Sequence, residues 1–257
     1  MTSWRGRLAV LSVIVASMLV TPVAAQRRGG GPFTPPTPRA AAPVDLTGYW
    51  VSIVNEDWRQ RMTIPAKGDV GGVPLNQAGR AAASAWDPAH ANDPGERCKP
   101  FGAGGLMRVP GRLHITWEGD DTLKVEADAG GQTRLLSFRA SRGDGGTWQG
   151  LSSASWDRSE TVMGRGGFLP GATAQGGSLK VVTTSMKPGY VLRNGVPYGA
   201  QAVLTEYFDR FDVPNGDSLL VVSSELADPQ FFAQPYWTST HFKKQSDARG
   251  WSPKPCE

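Results

Sequence analysis

The sequence predicts an all-β fold made mainly of antiparallel strands, and three observations support this prediction. From residue 45 onward, eight short runs rich in β-branched and aromatic residues follow one another along the chain. Gly, Pro, Asn and Asp separate these runs, as turns between neighbouring strands require. The chain also contains 32 glycines and 20 prolines, a load that disfavours a helical bundle. Eight strands with little helix predict a closed barrel or a sandwich.

Turn residues set the boundaries of the predicted strands. Gly119-Asp120-Asp121 separates two runs, and Pro214-Asn215-Gly216-Asp217 joins two others in a predicted hairpin. No parallel strand–helix–strand pattern and no internal repeat is visible in the sequence. The eight predicted strands are Gly48–Asn55, Arg112–Glu118, Thr122–Ala127, Thr133–Arg139, Leu179–Ser185, Ala202–Phe211, Ser218–Glu225 and Trp237–Lys244.

One short helix is predicted over residues 77–86, where alanines dominate. Asn76 is a suitable N-cap for this helix, and Asp87-Pro88 ends it because proline cannot continue a helix. A barrel of about eight strands can enclose one small ligand, so the predicted architecture permits a binding function.

The first 25 residues are predicted to be a secretory signal peptide. Arg5 and Arg7 supply its positive charge, Leu8–Val20 is an apolar run of 13 residues, and Val23-Ala24-Ala25 supplies a small-residue cleavage site. We therefore expect a periplasmic or secreted protein, with an uncleaved membrane anchor as the alternative. No later apolar stretch approaches 18 residues, so no membrane span is expected after cleavage.

Residues 26–44 are predicted to be a disordered linker rich in proline and glycine, followed by a single β-barrel domain over residues 45–257. Five arginines precede Asp45 and no acidic residue does, so the rest of the chain carries 22 basic against 23 acidic residues. The formal net charge of +4 therefore belongs to segments outside the fold. A nucleic-acid-binding domain carries its positive charge on the folded part, so we predict no nucleic-acid partner.

The predicted mature chain contains two cysteines, Cys98 and Cys256. Export places them in an oxidising compartment, where a structural disulfide forms and persists. We predict that the two are bridged, with two unpaired thiols as the alternative. Two cysteines are too few for a cysteine-rich zinc site.

The start of the first predicted strand, Gly48-Tyr49-Trp50, resembles the Gly-x-Trp motif that opens lipocalin-type barrels. Thr205-Glu206-Tyr207 is similar to the Thr-Asp-Tyr motif found later in those proteins. The resemblance implies an antiparallel lipocalin-like (calycin-type) barrel of eight or more strands with one short helix. It also implies that Trp50 closes the narrow end of the barrel.

A longer pattern, which covers most of the predicted mature chain, resembles that of a set of secreted bacterial proteins with no assigned activity. This second resemblance implies secretion and a β-rich fold. In that set a histidine commonly follows the Gly-x-Pro motif, where this chain has Tyr198. The segments that carry the resemblance are Leu75-Asn76-x-x-Gly79-Arg80, Asn92-Asp93-Pro94, Arg97-Cys98, Trp148-x-Gly150-x-Ser152, Ser155-Trp156, Asn194-Gly195-x-Pro197, Thr205-Glu206 and Asp228-Pro229-Gln230, which precedes Pro235.

Glu206 is the most informative charged residue of the sequence. Strand alternation places it on one face with Leu204 and Phe208, so its carboxylate is expected to point into an apolar interior. Burial raises the pKa of a carboxyl group, which suits a general acid or base. The alternative is a structural ion pair, for which Arg134 or Arg108 is the expected partner.

Candidate partners of Glu206 in acid–base chemistry are His114, His241 and Tyr198. Alternation places His114 opposite Leu113 and Ile115, on either a solvent-facing surface or a polar barrel lumen. Two strand histidines and one carboxylate match a known metal-ligand combination, but no local spacing motif accompanies them. We predict no metal site.

Aromatic residues are frequent in the second half of the chain, and they predict a pocket for a flat apolar ligand, with core packing as the alternative. The predicted ligand-binding residues are Trp117, Trp148, Trp156, Tyr207, Tyr236, Trp237, Arg108 and Arg134.

Local motifs exclude several familiar enzyme classes. The sequence contains no Gly-x-Ser-x-Gly elbow, no phosphate-binding P-loop and no His-Glu-x-x-His motif. The Phe101–Gly105 segment lacks the strand and helix that flank a dinucleotide site and is interpreted as a turn, so no cofactor is predicted. Glu56-Asp57-Trp58-Arg59-x-Arg61 predicts an arginine–carboxylate network that holds one end of the barrel.

The sequence is compatible with three candidate functions. The leading hypothesis is a periplasmic or secreted barrel that binds a small apolar or aromatic molecule in its lumen. The alternative is a cofactor-free acid–base enzyme, such as an isomerase, dehydratase or lyase, on the same barrel. A third is an envelope interaction module. No sequence feature indicates an oligomeric state.

Overall fold

Nine strands close into a barrel in the computed structural model, which describes residues 35–140, 145–157 and 177–256. The predicted signal peptide and the first part of the predicted linker lie outside the described residues. All strands except β4, β8, β9 and β13 belong to the barrel. In chain order, the described strands are β1 (Gly48–Ile53), β2 (Arg112–Glu118), β3 (Thr122–Ala127), β4 (Ala129–Gly130), β5 (Gln132–Ser137), β6 (Leu151–Asp157), β7 (Ser178–Thr184), β8 (Gly189–Leu192), β9 (Val196–Tyr198), β10 (Val203–Asp212), β11 (Ser218–Ala227), β12 (Tyr236–Gln245) and β13 (Lys254–Pro255).

Barrel strands pair antiparallel, with one exception. The order around the barrel is β1-β12-β11-β10-β7-β6-β5-β3-β2, and β5 and β6 run parallel over two residue pairs. The predicted hairpin is the longest pairing, between β10 and β11 from Val203↔Ala227 to Asp212↔Ser218. The predicted all-β fold with an antiparallel, lipocalin-like barrel is confirmed.

Three short α-helices are described: α1 (Trp58–Met62), α2 (Gln77–Ala85) and α3 (Ala103–Leu106). The predicted helix is α2, and the Asn76 side chain accepts a hydrogen bond from Gly79 N as expected of an N-cap. The segment interpreted as a turn at Phe101–Gly105 instead contains the start of α3. This helix is only four residues long, too short to be stable by itself, so tertiary packing must hold it.

Apolar side chains on the inner faces of the strands fill the barrel. Trp50 is fully buried among them, and its indole donates a hydrogen bond of 2.9 Å to Leu46 O. Because every second residue of a strand points inward, these positions alternate along each strand. The inward apolar residues of the barrel strands that belong to the main core cluster are Trp50, Leu113, Ile115, Leu123, Val125, Ala127, Leu136, Ala154, Leu179, Val181, Phe208, Leu220, Val222 and Phe242.

Residues 99–108, here called the plug, cover one end of the barrel, here called the mouth. Leu106 and Met107 of the plug belong to the apolar cluster of the barrel, whereas Ala103 packs in a second cluster that includes Tyr198. The second cluster also contains side chains from α2, β8, β9 and the segment before β12. The plug is therefore held between the barrel and an outer apolar layer.

A disulfide between Cys98 and Cys256 fixes the chain immediately before the plug. The Sγ–Sγ distance is 2.01 Å and the Cα–Cα distance is 5.1 Å, which confirms the predicted pairing. Next to it, β13 pairs parallel with β4, and Cys256 N donates to Gly130 O. Residues 254–256 are thereby held beside the plug.

The contacts of the barrel begin before Asp45, within the segment that the sequence assigns to the linker. The Trp156 indole donates a 2.8 Å hydrogen bond to Pro38 O, and Arg39 N donates to Asp120 O. The described residues from Pro36 onward form one compact unit by their contacts.

Gly105→Ala is expected to destabilise the protein by about 1–3 kcal/mol, because it overpacks the plug. A Cβ atom at Gly105 would lie 2.4 Å from Tyr190 O and 2.9 Å from Pro100 O, and backbone atoms cannot rotate away. Urea denaturation measures the loss, and hydrogen exchange locates it in residues 99–108. As a control, Gly216→Ala strains an open turn with φ of +86° and leaves exchange of the plug unchanged. Wild-type stability and exchange in Gly105→Ala would contradict this packing.

Candidate functional site

Glu206 points into the barrel, as strand alternation predicts, and pairs there with Arg134. Arg134 Nη1 and Nη2 lie 2.9 and 2.5 Å from the two carboxylate oxygens of Glu206, and neither side chain is more than 1% exposed. Arg134 Nη2 also lies 3.2 Å from Thr183 Oγ1. The bidentate geometry is that of a strong structural ion pair, the alternative that the sequence left open.

A small cavity lies beside Glu206, between the barrel and the plug, and is called here the mouth cavity. Its volume is about 10 Å³, which is room for about one water molecule. The closed structure therefore has no ligand-sized space at this point of the lumen. The lining residues are Ala103, Gly104, Met107, Arg108, Leu204, Glu206, Ser224, Leu226, Tyr236 and Thr238.

Arg108 is the buried cation of the mouth cavity. Its side chain is 7% exposed, and its Nη2 donates a 2.8 Å hydrogen bond to Asp57. Its Nε and Nη1 are buried and have no hydrogen-bond partner among the described residues. The guanidinium lies 5.8 Å from the centre of the Tyr236 ring, within cation–π distance. Burial raises the pKa of Tyr236, although Arg108 opposes this shift.

A surface groove of about 300 Å³ lies next to the mouth cavity and is called here the rim groove. Phe232 lines the groove and Tyr236 lines the cavity, and their rings form an edge-to-face pair with centres 6.4 Å apart. Asp228 organises the loop by accepting from Gly199 N and Gln230 N. The groove is lined by Ala227, Asp228, Pro229, Phe232, Ala233, Gln234 and Pro235.

The two histidines predicted as acid–base partners do not converge on Glu206. His114 lies opposite the buried Leu113 on β2, where its Nδ1 is 3.0 Å from Glu126 and its ring stacks on Tyr49. These contacts place it on the outer face of the barrel, not in a polar lumen.

His241 lies on the outer face of the barrel, and Tyr198 makes no described hydrogen bond to the Glu206 carboxylate. His241 alternates with the buried Thr240 and Phe242, and its Nδ1 is 3.1 Å from Glu56. Tyr198 is fully buried beneath the plug, and burial raises its pKa. The described contacts therefore place neither histidine at Glu206, and the described residues contain no group of three metal-ligating side chains.

The predicted aromatic residues fall into separate places. Trp117 and Trp156 form a cluster with Phe138, with ring centres 5.2–6.4 Å apart. Trp117 also lines a recess of about 420 Å³ beside residues 39–47, outside the barrel.

Three further aromatic residues that were predicted to bind the ligand lie on the outside of the molecule. Trp148 and Tyr207 each have a lysine ammonium over the ring, from Lys187 at 5.3 Å and Lys180 at 5.7 Å. Trp237 is 60% exposed. Of the predicted ligand-binding aromatic residues, Tyr236 is the one that lines the mouth cavity together with Arg108.

The predicted network at Glu56–Arg61 is present. Arg61 is buried and forms an ion pair with Glu56, while its Nε donates a 2.9 Å hydrogen bond to Arg108 O. The sequence did not indicate that Arg193 belongs to this network, where its Nη2 donates 2.8 Å to Arg61 O. Arg193 lies after β8, far from Arg61 in the chain, so only the tertiary fold brings the two together.

The fold and the mouth cavity place the chain in the class of closed, mostly antiparallel β-barrels, compatible with a lipocalin-like architecture. Comparisons of the chain with family models, curated proteins and solved structures return no match. The implied relationship to a set of secreted proteins therefore stays a prediction. Within the described parts of the chain, no helix has the length and apolar character needed to cross a membrane.

Proposed function

We propose that the protein is an exported, lipocalin-like binding protein for a small apolar or aromatic molecule with an acidic group. The ligand lies in the rim groove, and its acidic group reaches Arg108 in the mouth cavity. The observation that carries this proposal is the buried Arg108 guanidinium, which has two nitrogens without partners beside an aromatic ring.

A buried cation with unused donors favours an anionic partner. Each buried donor without an acceptor costs about 1–3 kcal/mol, and more when it is charged. A carboxylate or sulfonate accepts charge-assisted hydrogen bonds from a guanidinium, and these are shorter and stronger than hydrogen bonds between neutral groups. The Asp57 carboxylate is half exposed and uses only Arg108 Nη2, so the other nitrogens stay available.

The rim groove has the size and chemistry for the rest of the ligand. Its volume of about 300 Å³ matches the lower end of the range for small-molecule sites, about 300–1,000 Å³. Alanine, proline and phenylalanine side chains form most of its lining. The Phe232–Tyr236 pair stands between the groove and the cavity, so a rotation of Tyr236 would join them.

The export context supports the proposed location. The Cys98–Cys256 disulfide is typical of proteins outside the reducing cytoplasm. Together with the predicted signal peptide, it favours the periplasm or the extracellular space as the site of function.

Two dyes that differ mainly in one acidic group test the proposal. 1-Anilinonaphthalene-8-sulfonate carries a sulfonate, whereas N-phenyl-1-naphthylamine has the same aromatic framework and no charge. Both are expected to bind the wild-type protein, with fluorescence titration giving the two dissociation constants. Arg108→Gln is expected to weaken binding of the sulfonate about tenfold or more, because it removes one charged contact, and to leave the neutral dye unchanged.

Lys187→Gln is the matched control, since it removes a cation over the Trp148 ring at the surface. This variant is expected to bind both dyes with wild-type affinity. Circular dichroism at the titration temperature verifies that each variant is folded. Equal affinity of wild type and Arg108→Gln for the sulfonate, or no saturable binding of either dye, would contradict the proposal.

A further inference from the structure

A second small cavity lies on another side of Arg108. Among the described residues, Arg108 is the one that lines both this cavity and the mouth cavity. It has a volume of about 10 Å³ and is called here the arginine cavity. Three arginines, from α1, the plug and the segment after β8, contribute to its walls. The lining residues are Gln60, Arg61, Pro100, Gly105, Arg108, Val109, Val191, Leu192 and Arg193.

Arg61 is the most deeply buried of the three arginines, at 2% exposure. Its Nη1 pairs with Glu56 and its Nε donates to Arg108 O, but its Nη2 is buried without a partner among the described residues. Burial and the nearby charge of Arg108 lower the pKa of Arg61 to about 10. The effect of Arg108 shows that two positive charges lie close together here.

The carboxylates around the arginine cavity do not balance its cations. Glu56 pairs with Arg61 and is shared with His241, whose Nδ1 lies 3.1 Å away. Asp57 pairs with Arg108, and Arg193 makes its described contact with a neutral backbone oxygen. Three guanidinium groups thus face two carboxylates, and three of their nitrogens are buried and unpaired. A low-dielectric site with surplus positive charge favours an anion.

We propose that the arginine cavity binds a single monovalent halide ion, chloride under ordinary conditions, between Arg61, Arg108 and Arg193. The cavity volume is that of about one water-sized particle, which admits a one-atom anion and excludes phosphate and sulfate. A halide accepts hydrogen bonds from several directions, so it can use Arg61 Nη2 together with one of the two unpaired nitrogens of Arg108. The other unpaired nitrogen of Arg108 stays available to the acidic group of the proposed ligand. A water molecule of the same size supplies no charge.

The ion would join three separate parts of the fold. Arg61 belongs to α1, Arg108 ends the plug, and Arg193 follows β8. A bound halide would therefore hold the plug in place from outside the barrel. This role goes beyond the proposed function, because it needs no ligand in the rim groove or the mouth cavity.

Bromide-soaked crystals and thermal unfolding test the proposal together. Bromide scatters anomalously, so a peak in contact with Arg61 Nη2 and a nitrogen of Arg108 is expected. In solution, the melting temperature is expected to be higher in chloride than in gluconate at equal ionic strength. The difference is expected to level off as the chloride concentration rises. A shift of about 3–5 °C is expected when chloride exceeds its dissociation constant about tenfold.

Arg193→Gln removes the least buried of the three cations. In this variant the dissociation constant for chloride, obtained from the chloride dependence of the melting temperature, is expected to rise about tenfold. Arg59→Gln is the matched control, since Arg59 is an exposed arginine of the same short helix as Arg61. This control is expected to keep the full chloride dependence.

No anomalous peak in the arginine cavity, or equal melting temperatures in chloride and gluconate, would overturn the proposal. Equal stabilisation by sulfate would also overturn it, because sulfate is too large for the cavity. These readouts use no aromatic probe, so their failure is distinct from a failure of the dye experiment.

Discussion

Replacing Glu206 with glutamine is expected to lower the free energy of unfolding by about 3–5 kcal/mol, because it leaves a buried arginine without its counter-charge. Both oxygens of Glu206 accept hydrogen bonds from Arg134, and neither side chain is accessible to water. Glutamine keeps the shape of the side chain and removes the charge. Urea denaturation followed by tryptophan fluorescence measures the change.

A double variant separates the cost of an unpaired charge from the value of the pair. Replacing Glu206 by leucine together with Arg134 by methionine is expected to recover most of the lost stability, since apolar side chains of similar volume replace buried ion pairs at little cost. Wild-type stability of Glu206→Gln alone would contradict the structural role. An equal loss in the double variant would show that shape, not charge, holds this layer of the barrel.

The same pair bears on the hypothesis of an acid–base enzyme. A general base needs its substrate within hydrogen-bond reach, but Arg134 pairs with both carboxylate oxygens of Glu206 and the cavity beside them has room for about one water molecule. The histidines proposed as its partners lie on the outer face of the barrel. Glu206 is therefore best explained as part of the fold. The guanidinium with unpaired nitrogens that lines the mouth cavity and is proposed to bind the ligand is that of Arg108.

Strand alternation predicted the direction of Glu206 because the period of two is a local property of the chain. Leu204 and Phe208 flank it on the same face, and both are buried with it. The choice of partner is not local. Arg134 is 72 residues away in sequence, and only closure of the barrel decides that Arg134, and not Arg108, forms the ion pair with Glu206.

The location of His114 shows where alternation stops being informative. The pattern places His114 opposite Leu113 and Ile115, but both an inward and an outward histidine satisfy it. The structure resolves this because the apolar face forms the core, and His114 pairs with Glu126 across β2 and β3. The Glu126 side chain favours an outward His114, but it could be used as evidence only once the pairing of β2 with β3 was known.

Two of the elements that were not predicted show how tertiary contacts form them. β6 contains three serines and no β-branched residue, so its strand propensity is weak, yet it pairs with β7 over seven residues. The glycines of the plug were interpreted as a turn. They are small because Tyr198 packs against them: a Cβ atom at Gly104 would lie 2.8 Å from its ring.

Removing the disulfide with Cys98→Ser and Cys256→Ser is expected to lower the free energy of unfolding by about 5 kcal/mol. The bridge closes a loop of 158 residues, and a long loop gains the most from a cross-link in the chain-entropy description. Reduced wild-type protein is expected to match the double variant. Chemical denaturation of the oxidised, reduced and variant forms measures all three.

Without the disulfide, the plug is expected to unfold locally more readily than the rest of the barrel. Cys98 directly precedes the plug, and Cys256 follows β13, which pairs with β4. Without the bridge, hydrogen exchange in residues 99–108 and in β4 is expected to rise at denaturant concentrations that leave β10 and β11 protected. If exchange rises uniformly, the bridge acts only on the unfolded chain. If neither stability nor exchange changes, the bridge makes no contribution to holding the mouth closed, and Arg61, Arg108 and the packing of Tyr198 must do so alone.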